Sequence, residues 1–303
     1  MVVVGPAMVR PPALHPGDRV IAVAPSGPFE PNLGWLGLGW LSRRYKVEFR
    51  RDVFTVAGYL AGDAARRGRE LVAAIADPNA RAVIAMRGGY GLHHVAHLPD
   101  WEAFSRDPKW IVGFSDVTVL HVEAARVGVM SMHAPMVALL GRGCEADRAR
   151  WLDALEAPER IRTWTGLGTL RQGRASGRLF GGNLTVLHAC AAGGRLRVPS
   201  GAILLLEDVG ERPYRIDRML TTMLMGGHLA SVAGVVLGEF TECNPGADGV
   251  CARDVLRGIL GELGVPVIDG LCVGHGLRNE PIVLGANAQI DAEESSATLT
   301  VRA

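Results

Sequence analysis

The feature that most constrains this chain is the alternation, from Arg19 onward, of short apolar runs with longer stretches of helical pattern. Arg19-Val-Ile-Ala-Val-Ala24 reads as a buried strand ending in a Pro-Ser-Gly-Pro turn. Residues 31–44 read as a helix and 46–50 as a second strand. Residues 63–76 predict a helix, with Asp63 as its N-cap and Asp77-Pro-Asn as its stop. Residues 81–86 and 110–114 are further buried strands, a helix follows from about Asp116 to Arg126, and 129–133 is one more strand. Strand and helix in this rhythm build a parallel sheet covered on both faces, with functional groups gathered at the carboxyl ends of the strands.

Beyond this region the pattern changes. Residues 141–169 are polar and helix-like, as a connector would be, and Gly177-Arg-Leu-Phe-Gly-Gly-Asn183 is glycine-rich and turn-like. Strands are expected at 202–206, 232–237 and 266–269, helices at 213–224 and 252–263, and an antiparallel alternation over 282–301. The expected organisation is a parallel-sheet α/β domain of the Rossmann or flavodoxin-like kind at 16–145, a connector at 146–169 and a smaller C-terminal α/β domain at 170–303.

Composition excludes several classes of function. The chain has 303 residues, 48% hydrophobic and 21% charged, which suits a soluble globular protein with an ample core. A net charge of +1 provides no field to attract nucleic acid or an anionic membrane. All but Lys46 and Lys109 of the 32 basic residues are arginines; they are scattered, and we read the bias as genomic or stability-related. The five cysteines are widely spread and lack CxxC spacing, so neither a zinc site nor a disulfide framework is indicated, and reduced thiols fit a cytoplasmic protein. The first residues lack a basic region and a full apolar core, so they make a poor signal peptide, and no apolar run approaches the ~18 residues that span a bilayer.

Four segments could carry chemistry. Gly113-Phe-Ser115-Asp-Val sits where an apolar strand meets a helix, a place that exposes a serine and leaves helix N–H groups free beside it. The match to the G-x-S-x-G elbow is incomplete at Val117, and taken alone Ser115 or Asp116 is better read as a helix cap. Met86-Arg-Gly-Gly-Tyr-Gly91 follows a buried strand; its glycines allow a ligand to approach the backbone, yet it lacks the P-loop Lys-Ser/Thr and the dinucleotide-binding spacing. Glu207-Asp208 ends the apolar run 203–206, where a carboxylate can orient an imidazole or simply cap a loop. Gly274-His275-Gly276 places a histidine between two glycines at another strand end. His133 is a lesser contender, and His93, His94 and His97 have helical spacing without a third metal ligand. Together the four segments supply a nucleophile, a base, an orienter and an oxyanion donor.

At this point the sequence resembles the LD-carboxypeptidases, or muramoyltetrapeptide carboxypeptidases. The resemblance is carried by Val23-Ala-Pro-Ser-Gly-Pro28, Arg87-Gly-Gly-Tyr-Gly91, Gly113-Phe-Ser-Asp116, Leu206-Glu-Asp-Val-Gly-Glu-Arg-Pro-Tyr-Arg-Ile-Asp217 and Gly274-His-Gly276. His133-Ala-Pro-Met136, Gly181-Gly-Asn-Leu184 and Gly238-Glu-Phe-Thr241 add to it, so that it runs from about Pro16 to Asp291. It implies a catalytic triad of Ser115, Glu207 and His275, and an oxyanion hole from the backbone amides of Gly89 (or Gly88) and Asp116. It also implies an active site between the two domains, a homodimer, and no metal or other cofactor. The implied substrate is a murein tetrapeptide from which the terminal D-alanine is released in cell-wall recycling. Arg87, Arg215 and Arg278 lie in or beside these motifs as binders of the terminal carboxylate, and Arg87 is the one we single out.

Two other readings compete. A relative within the same family would hydrolyse a microcin-type peptide-nucleotide with the same triad, stacking the base on an aromatic such as Trp151 or Trp164. A non-catalytic small-ligand module on a doubly wound sheet would leave the three triad residues apart.

Overall fold

The computed structural model describes residues 8–303, which divide into two compact units. The first comprises Met8–Pro158 with Glu280–Val283, and the second Glu159–Asn279 with Leu284–Ala303.

In chain order the first unit contains β1 (Arg19–Val23), α1 (Pro31–Leu41), β2 (Lys46–Glu48), α2 (Ala64–Ala76), β3 (Ala82–Ala85), α3 (Trp101–Arg106), β4 (Trp110–Gly113), α4 (Thr118–Arg126), β5 (Ser131–His133), α5 (Val137–Arg142) and α6 (Glu145–Glu156). The five strands pair in parallel, in the order β5-β4-β3-β1-β2, and a late segment, Ile282–Leu284, extends the sheet beyond β5. Every residue of β3 and β4 is buried, which accounts for their unbroken apolar sequences in a sheet covered on both faces. The expected N-cap of α2 is present: the Asp63 carboxylate accepts the Arg66 N–H at 2.6 Å.

The second unit contains β6 (Arg162–Arg171), β7 (Gly173–Asn183), α7 (Leu184–Ala192), β8 (Ile203–Val209), α8 (Pro213–Met225), β9 (Gly234–Thr241), α9 (Ala252–Gly261), β10 (Val267–Asp269), β12 (Asn287–Ala292) and β13 (Ala297–Arg302); the late strand of the first unit's sheet, Ile282–Leu284, is β11. Among the described residues its strands close into a barrel in the order β10-β6-β13-β12-β7-β8-β9. The run β7-β8-β9-β10 is parallel and its helices return the chain between strands; β6, β12 and β13 complete the barrel with antiparallel pairs.

Three sequence expectations are corrected. The stretch expected as a helical connector holds α6, which belongs to the first unit, and then the strand β6, in which polar residues occupy the exposed positions of a barrel wall. The glycine-rich 177–183 is the second half of β7, buried from Leu179 onward, where glycines admit the neighbouring strand's backbone: a Cβ at Gly181 would collide with the Leu205 carbonyl. In the tail, β12 and β13 are antiparallel as expected, but β11 is an edge strand of the first unit's parallel sheet.

Candidate active site

In the first unit, β4 ends at Gly113 and Phe114 stays extended, with φ −154° and ψ 172° below zero. Ser115 then turns with φ 63°, a left-handed conformation that costs a residue with a Cβ about 1–2 kcal/mol. Among the described residues only Glu242 shares it without being glycine. Neither Ser115 nor Asp116 caps the short turn Ser115–Val117 or α4 behind it. The half-buried Ser115 hydroxyl is therefore presented at the carboxyl end of the sheet by a strained strand-to-helix turn.

The glycine loop after β3 lies against this turn. A Cβ on Gly88 would stand 3.0 Å from the Ser115 Cβ and 3.1 Å from its Oγ, so a side chain here would crowd Ser115. Gly89 follows with φ 109°, and the Asp116 carboxylate accepts the Leu92 N–H at 3.0 Å, fastening the far end of the loop to the start of α4. Burial pushes the Asp116 carboxyl above its usual range. Arg87 is exposed, and its Nη1 donates to the Pro28 carbonyl at 2.6 Å, linking the loops that follow β3 and β1.

Sequence reasoning missed the supports beneath. Arg67 of α2, fully buried, donates through Nη1 to the carbonyls of Pro25 (2.8 Å) and Gly91 (2.7 Å), clamping both loops. Arg66 donates to the Ala24 carbonyl at 2.7 Å and pairs with Glu70 at 2.7 Å, while Glu70 also accepts the Ala24 N–H at 2.8 Å. Burial drives the Glu70 carboxyl up to about 7 and the Arg67 guanidinium below its usual value. Arginines inside the apolar pattern of a helix were the available signal, and an arginine-rich composition masked it.

Behind Ser115, the buried His121 faces the Gly113 carbonyl through Nε2 and the Ser131 hydroxyl through Nδ1, both at 2.9 Å. Burial lowers its pKa to about 3, so the ring is neutral: Nε2–H donates to Gly113 and Nδ1 accepts from Ser131. His133 is fully buried, with its ring centroid 5.5 Å from that of Phe114, and is part of the core. His94 ends a short turn over Leu92–His94 and meets Arg67 Nη2 at 3.2 Å; His97 lies outside that turn, so the expected shared helix is absent. Among the described residues no group of three or more His, Cys, Asp or Glu side chains is arranged to hold a metal.

In the second unit, Glu207 near the end of β8 is fully buried, and its Oε2 accepts from His275 Nδ1 at 2.8 Å. Donation from Nδ1 to a carboxylate makes Nε2 the basic nitrogen of the neutral ring. Glycines clear the space: a Cβ at Gly274, whose φ is 129°, would lie 2.9 Å from Glu207 Oε2, and one at Gly238 would press to 3.2 Å from the Glu207 Cβ. The neighbouring Asp208 is committed elsewhere: it accepts from Asn183 Nδ2 (3.0 Å), the Thr185 N–H (2.9 Å) and hydroxyl (2.8 Å), and the Val209 N–H (2.8 Å), securing the start of α7. Trp151 is fully buried in the first unit, donates to the Pro135 carbonyl at 3.0 Å and packs edge-on to Trp40, so it offers no stacking face.

The structure thus joins Glu207 to His275 within one unit and places Ser115, Gly88, Gly89 and Asp116 together within the other. Comparison with known proteins adds to this geometry. Residues 20–134 match the LD-carboxypeptidase N-terminal domain, and residues 176–290 match the LD-carboxypeptidase C-terminal domain. The chain is 34% identical over 259 residues to a murein tetrapeptide carboxypeptidase of Pseudomonas aeruginosa, covering 77% of this chain and 80% of that protein. The crystal structure of a muramoyltetrapeptide carboxypeptidase from Oxalobacter formigenes is similar with a TM-score of 0.84 at 27% identity, over 94% of this chain and 99% of that one. A microcin C7 self-immunity protein shares the fold, with a TM-score of 0.87 at 20% identity, over 98% of this chain and 99% of that one.

Proposed function

The chain belongs to the LD-carboxypeptidase family, and from that premise we propose that it is a serine carboxypeptidase that releases the terminal D-alanine from murein tetrapeptides, with Ser115, Glu207 and His275 as its triad. The observation that carries the reading is the 2.8 Å bond between Glu207 and His275, since a buried carboxylate that fixes an imidazole tautomer has one plain use in a family of peptidases. In the working enzyme His275 Nε2 takes the Ser115 proton as the hydroxyl attacks the scissile carbonyl. Glu207 stabilises the imidazolium so formed. The amides of Gly89 and Asp116 receive the oxyanion, each such donor being worth about 3 kcal/mol. His275 then protonates the departing amine of D-alanine, and water repeats the cycle on the acyl-enzyme.

The strained φ of Ser115 supports its role, because a cost of this size is retained where it aims a reacting group. Arg87, at the edge of the same loop, is our choice for the terminal carboxylate, with the part of its guanidinium not facing Pro28. The reading extends to a cytoplasmic homodimer acting in cell-wall recycling. The microcin-type alternative loses one of its two stacking candidates, because Trp151 is buried. Incubation of the protein with free murein tetrapeptide, followed by mass spectrometry, tests the substrate. Release of D-alanine and tripeptide supports the proposal. A folded protein that leaves the tetrapeptide intact while cleaving an aminoacyl sulfamoyl nucleoside would transfer the assignment to the alternative.

A further inference from the structure

Glu239 lies on β9, the neighbour of the strand that carries Glu207, and its carboxylate rests directly on Gly276, the residue after His275. A Cβ at Gly276 would coincide with that carboxylate, so the glycine after the histidine makes room for Glu239 as the glycine before it makes room for Glu207. Glu239 is half-buried, and among the described residues its carboxylate has no hydrogen-bond donor and no cationic partner. Loss of water without a replacement partner disfavours its ionised form, and its carboxyl is accordingly pushed above the usual range.

The acids on the neighbouring strand β8 and the loop after it are matched: Glu207 to His275, Asp208 to Asn183 and Thr185, and Glu211 to Arg215 at 3.6 Å. Fold stability gives no reason to keep an unmatched carboxylate against Gly276, one residue from His275, where a neutral glutamine of the same shape would avoid the cost. The remaining use is a cation that arrives with the ligand.

We infer that Glu239 is a specificity-determining residue that pairs with a cationic side chain on the substrate residue whose carbonyl is attacked. This rests on the carboxypeptidase reading above. The leaving residue of such a substrate bears a free carboxylate, which Glu239 repels, so the charge it recognises belongs to the acyl side of the bond. A third residue with a side-chain ammonium supplies that charge; one with an uncharged side chain of equal length does not.

The test compares two tetrapeptides, identical except for lysine or norleucine at the third position, in the wild type, Glu239→Gln and Glu239→Lys. Labelling of Ser115 by a fluorophosphonate reports that each variant is folded. The wild type is expected to favour the lysine peptide by about 10-fold in kcat/KM, mainly through KM. In Glu239→Gln the preference shrinks to about 2-fold or less. Glu239→Lys, assayed on a peptide with glutamate at the third position, gains on it relative to the wild type and carries the test if Glu239→Gln folds poorly. An equal preference in wild type and Glu239→Gln overturns the inference while leaving the carboxypeptidase reading intact. So does a fall in kcat of the same size on both peptides, which would mean that Glu239 acts through His275. Release of D-alanine from neither peptide by the wild type overturns the carboxypeptidase reading itself.

Discussion

Glu207 Oε2 and His275 Nδ1, separated by 68 positions in the chain, meet at 2.8 Å, with the carboxylate fully buried. The bond sets the tautomer as well as the position of the ring. Glu207→Gln keeps the shape but offers an amide where the imidazole needs an acceptor. We expect kcat for D-alanine release to fall about 10³–10⁴-fold with little change in KM, as when a triad carboxylate is replaced by its amide. Steady-state kinetics on a tetrapeptide, with circular dichroism to verify the fold, checks this.

The left-handed turn at Ser115 trades stability for aim. A glycine adopts φ 63° without the steric cost, so Ser115→Gly should raise the unfolding free energy by about 1 kcal/mol while abolishing hydrolysis. Urea denaturation of the two proteins measures the difference. A destabilised glycine variant would mean that the turn is not strained.

Gly274 has no room for a methyl group, with φ at 129° and a prospective Cβ 2.9 Å from Glu207 Oε2. Gly274→Ala should move the carboxylate off the imidazole and lower kcat by 100-fold or more, given that displacements of about 1 Å cost that much. A crystal structure of the variant should show the Glu207–His275 distance lengthened beyond hydrogen-bonding range.

His121 should make the first unit sensitive to acid. Its pKa is lowered by burial from 6.5 to about 3, so between these values the unfolded chain binds a proton that the folded protein excludes. Stability from this group is complete above pH 6.5 and is lost as pH falls toward 3, by up to about 1.4 kcal/mol per pH unit. His121→Gln, which retains a donor, should flatten the fall in unfolding free energy between pH 6.5 and 4.5. Because His121 holds the Gly113 carbonyl behind Ser115, the variant should also lose about 10-fold in kcat.

The alternating pattern of 19–133 made the parallel sheet legible, because a strand buried on both faces must be apolar throughout, as β3 and β4 are. The barrel was hidden for the opposite reason. β6 and β7 carry glycine and polar residues on a partly exposed wall, where composition mimics a turn or a surface helix. Glu207 and His275 were legible as residues that end apolar runs, while their bond depends on glycines whose meaning lies in the packing. Arg66 and Arg67 escaped notice because nothing local in a helix says whether an arginine faces water or a ring of backbone carbonyls. Glu239 was present in the sequence only as part of a resembling segment; its isolation from cations is a three-dimensional fact.

In the proposed triad, His275 activates Ser115. Fluorophosphonate labelling, followed by mass spectrometry of the modified peptide, tests this without assuming a substrate. We expect a single modification, at Ser115, that slows at least about 100-fold in His275→Ala while the fold is retained. Labelling of Ser115 at the same rate in both proteins, or at another residue in the wild type, would contradict it.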